Sequence, residues 1–306
     1  MKKYFELTTA VSRLADLQED WLQYYDGIYL GDPFCLKLKD NLLNSKMHFS
    51  EAVNLLKKKG KKVYLSTPIG VTDEDFTLLR EKIGNAIESG VDAVEVYDMG
   101  MLYFISRLYN NIPITVNSFI HVFNFQSAIL LQEYGVKRFI PYPELDREEL
   151  QSIKDNSILE LELPVHGKMP LGYTELCLIH KKEKDMKRCA GDCFNGYRLN
   201  SKFGKMRTVG RLTLSASDIC LLNSLSVIRN NDFHIFRIEA RFENNHYRAR
   251  VGRIYREYIT QQNDNLLPDT KSVLEALNKL SPDGFCNGYF FSHPGKHYFP
   301  DNVVHC

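Results

Sequence analysis

Apolar segments alternate with segments of helical spacing along most of the chain. Eight short runs rich in β-branched and aromatic residues have the length of buried strands. They cover 4–8, 27–31, 62–67, 93–97, 114–117, 138–141, 158–165 and 233–240. Between most of them, apolar residues recur every three or four positions, as in Phe76, Leu79, Ile83 and Ile87 before Gly90. This spacing predicts amphipathic helices that end at glycine.

Strands that are apolar throughout and separated by helices are typical of a parallel sheet covered on both sides. Eight of them predict an α/β fold, a (β/α)8 TIM-like barrel or a distorted version of one. Residues 168–230 form a long insertion between the seventh and eighth strands, and 262–306 form a C-terminal appendage. We expect one domain over residues 1–306.

Polar residues follow most of the predicted strands. In TIM-like barrels the chemistry lies at the carboxyl ends of the strands, so these residues are expected at one rim. The insertion leaves from the same rim. The strand ends carry Asp32, Cys35, Ser66, Thr67, Tyr97, Asp98, Asn117, Ser118 and His166.

The charge balance gives no general preference for nucleic acid or membranes, because 39 basic residues face 38 acidic ones. No apolar run reaches the roughly 18 residues of a spanning helix. The N-terminal segment lacks the apolar centre of a signal peptide, which predicts a cytoplasmic protein without membrane insertion. In that reducing compartment the seven cysteines indicate metal binding or catalysis.

Three cysteines, Cys177, Cys189 and Cys193, lie within seventeen residues of the insertion. A fourth ligand is needed for a [4Fe-4S] cluster or a structural zinc ion, and Cys35 is expected at the same rim. The spacing alone leaves iron–sulfur and zinc equally open. Buried thiols without a metal are a further alternative.

Five other residues are candidates for catalysis or binding. His166 could orient a substrate or donate a proton, or hydrogen-bond within the rim. Asp218 could be a general acid or base, or could cap a helix that starts near residue 219. Arg237, Glu239 and Arg241 alternate along one strand, so all three face the barrel interior, either as a carboxylate-binding ladder or as an internal ion network.

Four ordered motifs between residues 27 and 289 resemble those of peptidase family U32, the collagenase-like proteases. They are ELELPVHG at 160–167, LTLSASDICLL at 212–222, FRIEARFENNHYRARVGRIYREYI at 236–259 and GFCNGYF at 284–290. Many members of the family carry a cysteine directly after VHG. Here Lys168, Met169 and Pro170 follow instead, and the next cysteine is Cys177.

The cysteine pattern resembles the UbiV-type subgroup of this family, the iron–sulfur proteins of oxygen-independent ubiquinone biosynthesis. The resemblance implies a [4Fe-4S] cluster on Cys35, Cys177, Cys189 and Cys193, with zinc as the alternative. It also implies a heterodimer with a U32 paralogue and hydroxylation of a small aromatic, ubiquinone-precursor-like substrate.

The segment from Arg237 to Arg241 is closer to the general family, some of whose members resemble tRNA or rRNA hydroxylation factors. An RNA base is therefore an alternative substrate. A U32 peptidase and a non-catalytic iron–sulfur scaffold subunit are further alternatives.

Overall fold

All eight predicted strands are present in the computed structural model, which describes residues 4–17, 19–36, 38–174, 177, 193, 197–202, 204–263 and 269–299. The strands are β1 Glu6–Val11, β2 Gly27–Leu30, β3 Lys62–Ser66, β4 Ala93–Val96, β5 Ile114–Val116, β6 Val136–Phe139, β7 Glu160–Tyr173, β8 Tyr197–Ser201, β9 Gly204–Val209, β10 Leu212–Cys220, β11 Ile235–Glu239 and β12 Phe285–Cys286.

Eight parallel strands close into a barrel. Each of β1 to β6 pairs in parallel with the next strand, and β11 pairs in parallel with both β7 and β1. The predicted TIM-like (β/α)8 barrel is confirmed.

Helices cover the outside of the barrel. They are α1 Glu19–Leu22, α2 Lys46–Lys58, α3 Asp73–Glu88, α4 Met99–Leu108, α5 Phe125–Glu133, α6 Arg147–Asp155, α7 Leu225–Asn230, α8 Asn245–Asn263 and α9 Thr270–Asn278. Asp146 caps the start of α6 by accepting hydrogen bonds from the backbone N–H groups of Glu148 and Glu149, and the Glu149 side chain accepts one from the backbone N–H of Asp146 in return.

Within the described part of the chain, no helix combines the length and the apolar character needed to cross a bilayer.

The seventh strand continues well past its predicted end at residue 165. Its second half, from His166 to Tyr173, pairs antiparallel with β10, which pairs with β9, and β9 pairs with β8. We call residues 166–173 together with β8, β9 and β10 the rim sheet. Part of the predicted insertion is thus an extension of the barrel sheet beyond its mouth.

The apolar core lies between the barrel and its helices, whereas much of the barrel interior is charged. Residues from every helix from α2 to α9 contribute to the apolar cluster. Inside the barrel, Glu6, Glu95, Glu162, Arg138 and Arg237 are buried. Buried charges must be paired, so their partners define the centre of the molecule.

Candidate functional site

A cleft opens at the carboxyl ends of the barrel strands, where TIM-like barrels carry their active sites. It encloses about 510 Å³, including space open to solvent. Its wall is aromatic: the Phe34 ring centroid lies 5.5 Å from that of Phe119, 5.7 Å from Tyr97 and 6.1 Å from Phe242. The size and the apolar wall suit a small planar ligand.

Arg237, Glu239 and Arg241 all line this cleft. Arg237 is 1% exposed, and its Nη1 atom lies 3.0 Å from Glu95 Oε1. Its Nε atom lies 2.6 Å from Glu239 Oε1, but the N–H is not aligned with that oxygen and makes no hydrogen bond within the described structure. Arg237 and Glu239 therefore form a close ion pair at the wall of the cleft.

Glu95 accepts hydrogen bonds on both carboxylate oxygens. Ser66 Oγ (2.6 Å) and Tyr97 Oη (2.8 Å) donate to Oε2, and Asn117 Nδ2 (2.8 Å) donates to Oε1 beside Arg237. Burial alone would raise the pKa of this carboxyl, but Arg237 and the hydrogen bonds hold the pKa below its ordinary value. Glu95 is thus an ionised carboxylate that fixes Arg237.

Arg241 links three strand ends at the mouth. Its guanidinium donates to the Gly31 carbonyl, to Ser66 Oγ at 3.0 Å and to Tyr97 Oη at 3.3 Å. Burial and the Glu95 charge raise the pKa of Tyr97 well above its ordinary value, so the hydroxyl stays protonated. Arg241 mainly holds the rim in place.

A second layer of ion pairs continues below Arg237. Glu162 accepts hydrogen bonds from Thr8 Oγ1 and Tyr29 Oη, both at 2.6 Å, and from Arg138 Nη1 at 3.1 Å. Arg138 also pairs with Glu6 at 3.0 Å. The predicted internal ion network therefore exists, and Arg237, Glu239 and Arg241 at its upper end line the cleft.

His166 does not line the cleft. Pro164 pairs with Arg237, but a one-residue bulge makes His166 pair with Ile238, so its side chain points toward α8 instead of the interior. There His166 Nδ1 lies 3.2 Å from Tyr255 Oη. Burial lowers the pKa of His166 to about 4, which keeps the ring neutral near pH 7.

Asp218 lies inside β10, so the interpretation of this residue as a helix cap is wrong. Its carboxylate accepts hydrogen bonds from Lys168 Nζ at 2.7 Å, Tyr247 Oη at 3.2 Å and Ser281 Oγ. Lys168 lines the cleft. Asp218 therefore positions the Lys168 ammonium at the rim.

Two of the four predicted ligand cysteines converge on the β9–β10 turn. Gly210 has a left-handed φ of +61°, and a Cβ atom there would lie 3.7 Å from the Cys193 sulfur and 4.0 Å from the Cys177 sulfur. Cys193 is buried in an apolar cluster with Phe34, the residue before Cys35. Cys189 lies outside the described residues.

The described part of the chain holds no group of three residues that could bind a metal ion. Cys220 and Cys286 lie elsewhere, in the main apolar core, and burial raises the pKa of the Cys220 thiol to about 11. The four-cysteine site stays a prediction.

Sequence reasoning missed Glu95 and the aromatic wall of Phe34, Phe119 and Phe242. Glu95 did carry a signal, because it is the one charged residue in the apolar run 93–97. The aromatic residues lie on separate loops, and their convergence depends on the closed barrel.

The sequence matches the family model described as Peptidase family U32 over residues 7–299. A tRNA hydroxylation protein P of Helicobacter pylori is 28% identical over 261 residues, which are 80% of this chain and 62% of that protein. An uncharacterized protease of Methanocaldococcus jannaschii is 27% identical over 290 residues, which are 89% of this chain and 70% of that protein. The 23S rRNA 5-hydroxycytidine C2501 synthase of Escherichia coli is 22% identical over 261 residues, which are 83% of this chain and 39% of that protein.

The chain spans about 62% of the length of the Helicobacter relative. The family match, in contrast, covers the barrel, the rim sheet and the described part of the appendage. The chain belongs to peptidase family U32.

Proposed function

We propose that the chain acts in the hydroxylation of a base in RNA and holds a [4Fe-4S] cluster through Cys35, Cys177, Cys189 and Cys193. Two relatives are named for the hydroxylation of tRNA and rRNA. The observation that carries the proposal is the cleft, in which aromatic rings surround the ion pair of Arg237 and Glu239.

A nucleobase fits this chemistry. Enzymes that modify a base take it out of the stack into a pocket, where aromatic rings contact its faces and polar groups bind its edge. Phe34, Phe119 and Phe242 supply aromatic faces, and Arg237 and Glu239 supply a donor and an acceptor. Glu239 is 25% exposed, so a ligand can reach its carboxylate.

The residues at the mouth partly fit a cluster. Cys177 and Cys193 present sulfurs around the space that a side chain at Gly210 would fill, and Phe34, the residue before Cys35, belongs to the same apolar cluster as Cys193. A bound cluster of this type supplies electron transfer, tuned by charge and hydrogen bonds around its sulfurs. The protein itself binds and orients the base and keeps bulk water from its face.

The geometry disfavours proteolysis by a cysteine nucleophile. Cys220 and His166 lie on neighbouring strands, and both contact the Tyr255 hydroxyl. Burial raises the pKa of the thiol and lowers that of the imidazole. A catalytic thiolate–imidazolium pair needs both shifts in the opposite direction.

The function is tested by nucleoside mass spectrometry of tRNA and rRNA from cells that lack the gene. We expect a hydroxylated nucleoside to disappear and to return with the wild-type gene but not with Glu239→Gln. The control is Glu160→Gln, because Glu160 is an exposed carboxylate at the other end of the barrel. This variant should restore the hydroxylated nucleoside. Unchanged nucleosides together with a lost quinone would instead favour the ubiquinone-precursor substrate suggested by the cysteine pattern.

The cofactor is tested separately, by iron and sulfide analysis after anaerobic purification. Wild-type protein should hold about four of each per chain. Replacement of any of the four cysteines by serine should remove most of both, whereas Cys286→Ala should not. Stoichiometric zinc in colourless wild-type protein would refute the cluster.

A further inference from the structure

We propose that the β8–β9 hairpin binds the phosphate backbone of the RNA strand whose base enters the cleft; this inference rests on the proposed function. The strand register places basic side chains on one face of the hairpin. Arg198 lies opposite Arg207, and Asn200 lies opposite Lys205. Directly opposed residues of an antiparallel pair share a face, so one side of the hairpin is basic.

This face carries an excess of positive charge. The side chains of Arg198 and Lys205 are 54% and 61% exposed, and both reach the same carboxylate, that of Asp283, at 3.1 and 3.8 Å. Among the described residues, two cations thus share one carboxylate, on a chain whose net charge is only +1. An anionic strand is attracted to such a local excess.

Arg207 fixes the hairpin to the cleft. Arg207 donates to the Phe242 carbonyl at 3.2 Å and pairs with Glu243. Lys168 and Glu243 line both the cleft and a neighbouring groove of about 710 Å³, which also includes Arg198 and Arg207. A strand with one base in the cleft can therefore continue along this groove onto the basic face.

The opposition of Arg198 and Arg207 supports a role in anion binding. Like charges directly opposite each other destabilise an antiparallel pair. Each arginine has its own carboxylate partner, which reduces but does not remove this cost on a largely exposed hairpin. A phosphate group bound between Arg198 and Arg207 would offset the repulsion between them. The opposite face carries the exposed side chains of Tyr197 and Leu199, so the basic character belongs to one side.

The test measures the affinity of the purified holoprotein for a fluorescein-labelled, mixed-sequence 15-nucleotide single-stranded RNA at several KCl concentrations. Arg198→Gln/Lys205→Gln should weaken binding roughly tenfold at low salt and reduce the salt slope by about 1.4, the value for two lost phosphate contacts. The matched control is Lys58→Gln/Lys59→Gln, at the end of α2 that precedes β3 and thus at the opposite end of the barrel. It should change affinity less than twofold. Circular dichroism and melting temperature verify that both variants are folded.

Equal binding by the hairpin variant and the wild type would overturn the inference while leaving RNA hydroxylation intact. An equal loss in both double variants would also overturn it, because binding would then follow total charge alone. If wild-type protein failed to bind the RNA at any salt concentration, the inference would fall. The nucleoside analysis above, which needs no binding measurement, would then decide the proposed function independently.

Discussion

Replacing Glu95 by glutamine removes one negative charge from the barrel interior and keeps the size of the side chain. The Glu95 carboxylate lies 3.0 Å from Arg237 and 3.7 Å from Arg241, and it is fully buried. Glutamine can still accept from Asn117, and the hydroxyls around the other oxygen can rotate to accept from its amide. The main loss is therefore electrostatic.

Removal of one partner of a buried ion pair costs about 3–5 kcal/mol, because the remaining charge stays buried without compensation. This is a large part of the roughly 5–15 kcal/mol by which domains are stable. Glu160 provides the comparison, since its side chain is 59% exposed and it pairs with Arg138 at 3.1 Å. Glu160→Gln should cost less than about 1 kcal/mol.

Urea unfolding, followed by circular dichroism at pH 7, measures both variants. With a slope of roughly 3 kcal/mol/M, the Glu95 variant should unfold at a urea concentration at least about 1 M lower than wild type. In the double variant Glu95→Gln/Arg237→Gln the two costs should fall short of additivity by about 0.5–3 kcal/mol. A loss for Glu95→Gln no larger than that for Glu160→Gln would refute the interpretation that balanced charges stabilise the barrel interior.

Three further changes test the mouth of the barrel and the strand beneath it. Gly167→Ala should destabilise the protein by about 3 kcal/mol in thermal or urea unfolding, because φ is +110° and the new Cβ would clash with a β11 carbonyl oxygen. The control is Gly172→Ala, which has open space around it and should cost less than about 1 kcal/mol of stability. The pKa of His166, about 4 when folded and 6.5 when unfolded, means that the unfolded chain takes up a proton first as the pH falls. The free energy of unfolding should thus drop by about 3 kcal/mol between pH 6.5 and 4, and a wild-type drop no steeper than that of His166→Gln would contradict this. Gly210→Ala should lower the iron content, since its Cβ would take up the space next to two cysteine sulfurs that a cluster would need. Gly204→Ala, also at positive φ but with no neighbour within 4 Å, should not, and equal iron in the two would argue against a cluster at this turn.

The barrel was predictable because its strands are short apolar runs between amphipathic helices. The end of β7 was not, since Gly167, Pro170 and Gly172 interrupt the apolar pattern and resemble a loop. Antiparallel pairing with β10 stabilises this stretch, and such pairing depends on partners 39 to 54 residues away in the sequence.

The site was only partly predictable for a related reason. The alternation of Arg237, Glu239 and Arg241 was sufficient to place them in the cleft. His166 was expected at the rim, but the side to which it points depends on a bulge that no local pattern reveals. Asp218 precedes an apolar stretch, as a helix cap does, yet the strand continues through it.

The uninterrupted course of β7 limits how the mouth can open. Its fourteen residues form one strand, roughly 45 Å long. The first half of this strand belongs to the barrel wall and the second half to the rim sheet. A hinge motion between these two parts would have to break backbone hydrogen bonds between β7 and the neighbouring strands on both of its sides. We therefore expect ligand entry to involve movement of the loops that follow β2 and β5, which carry Phe34 and Phe119, with little movement of the rim sheet relative to the barrel.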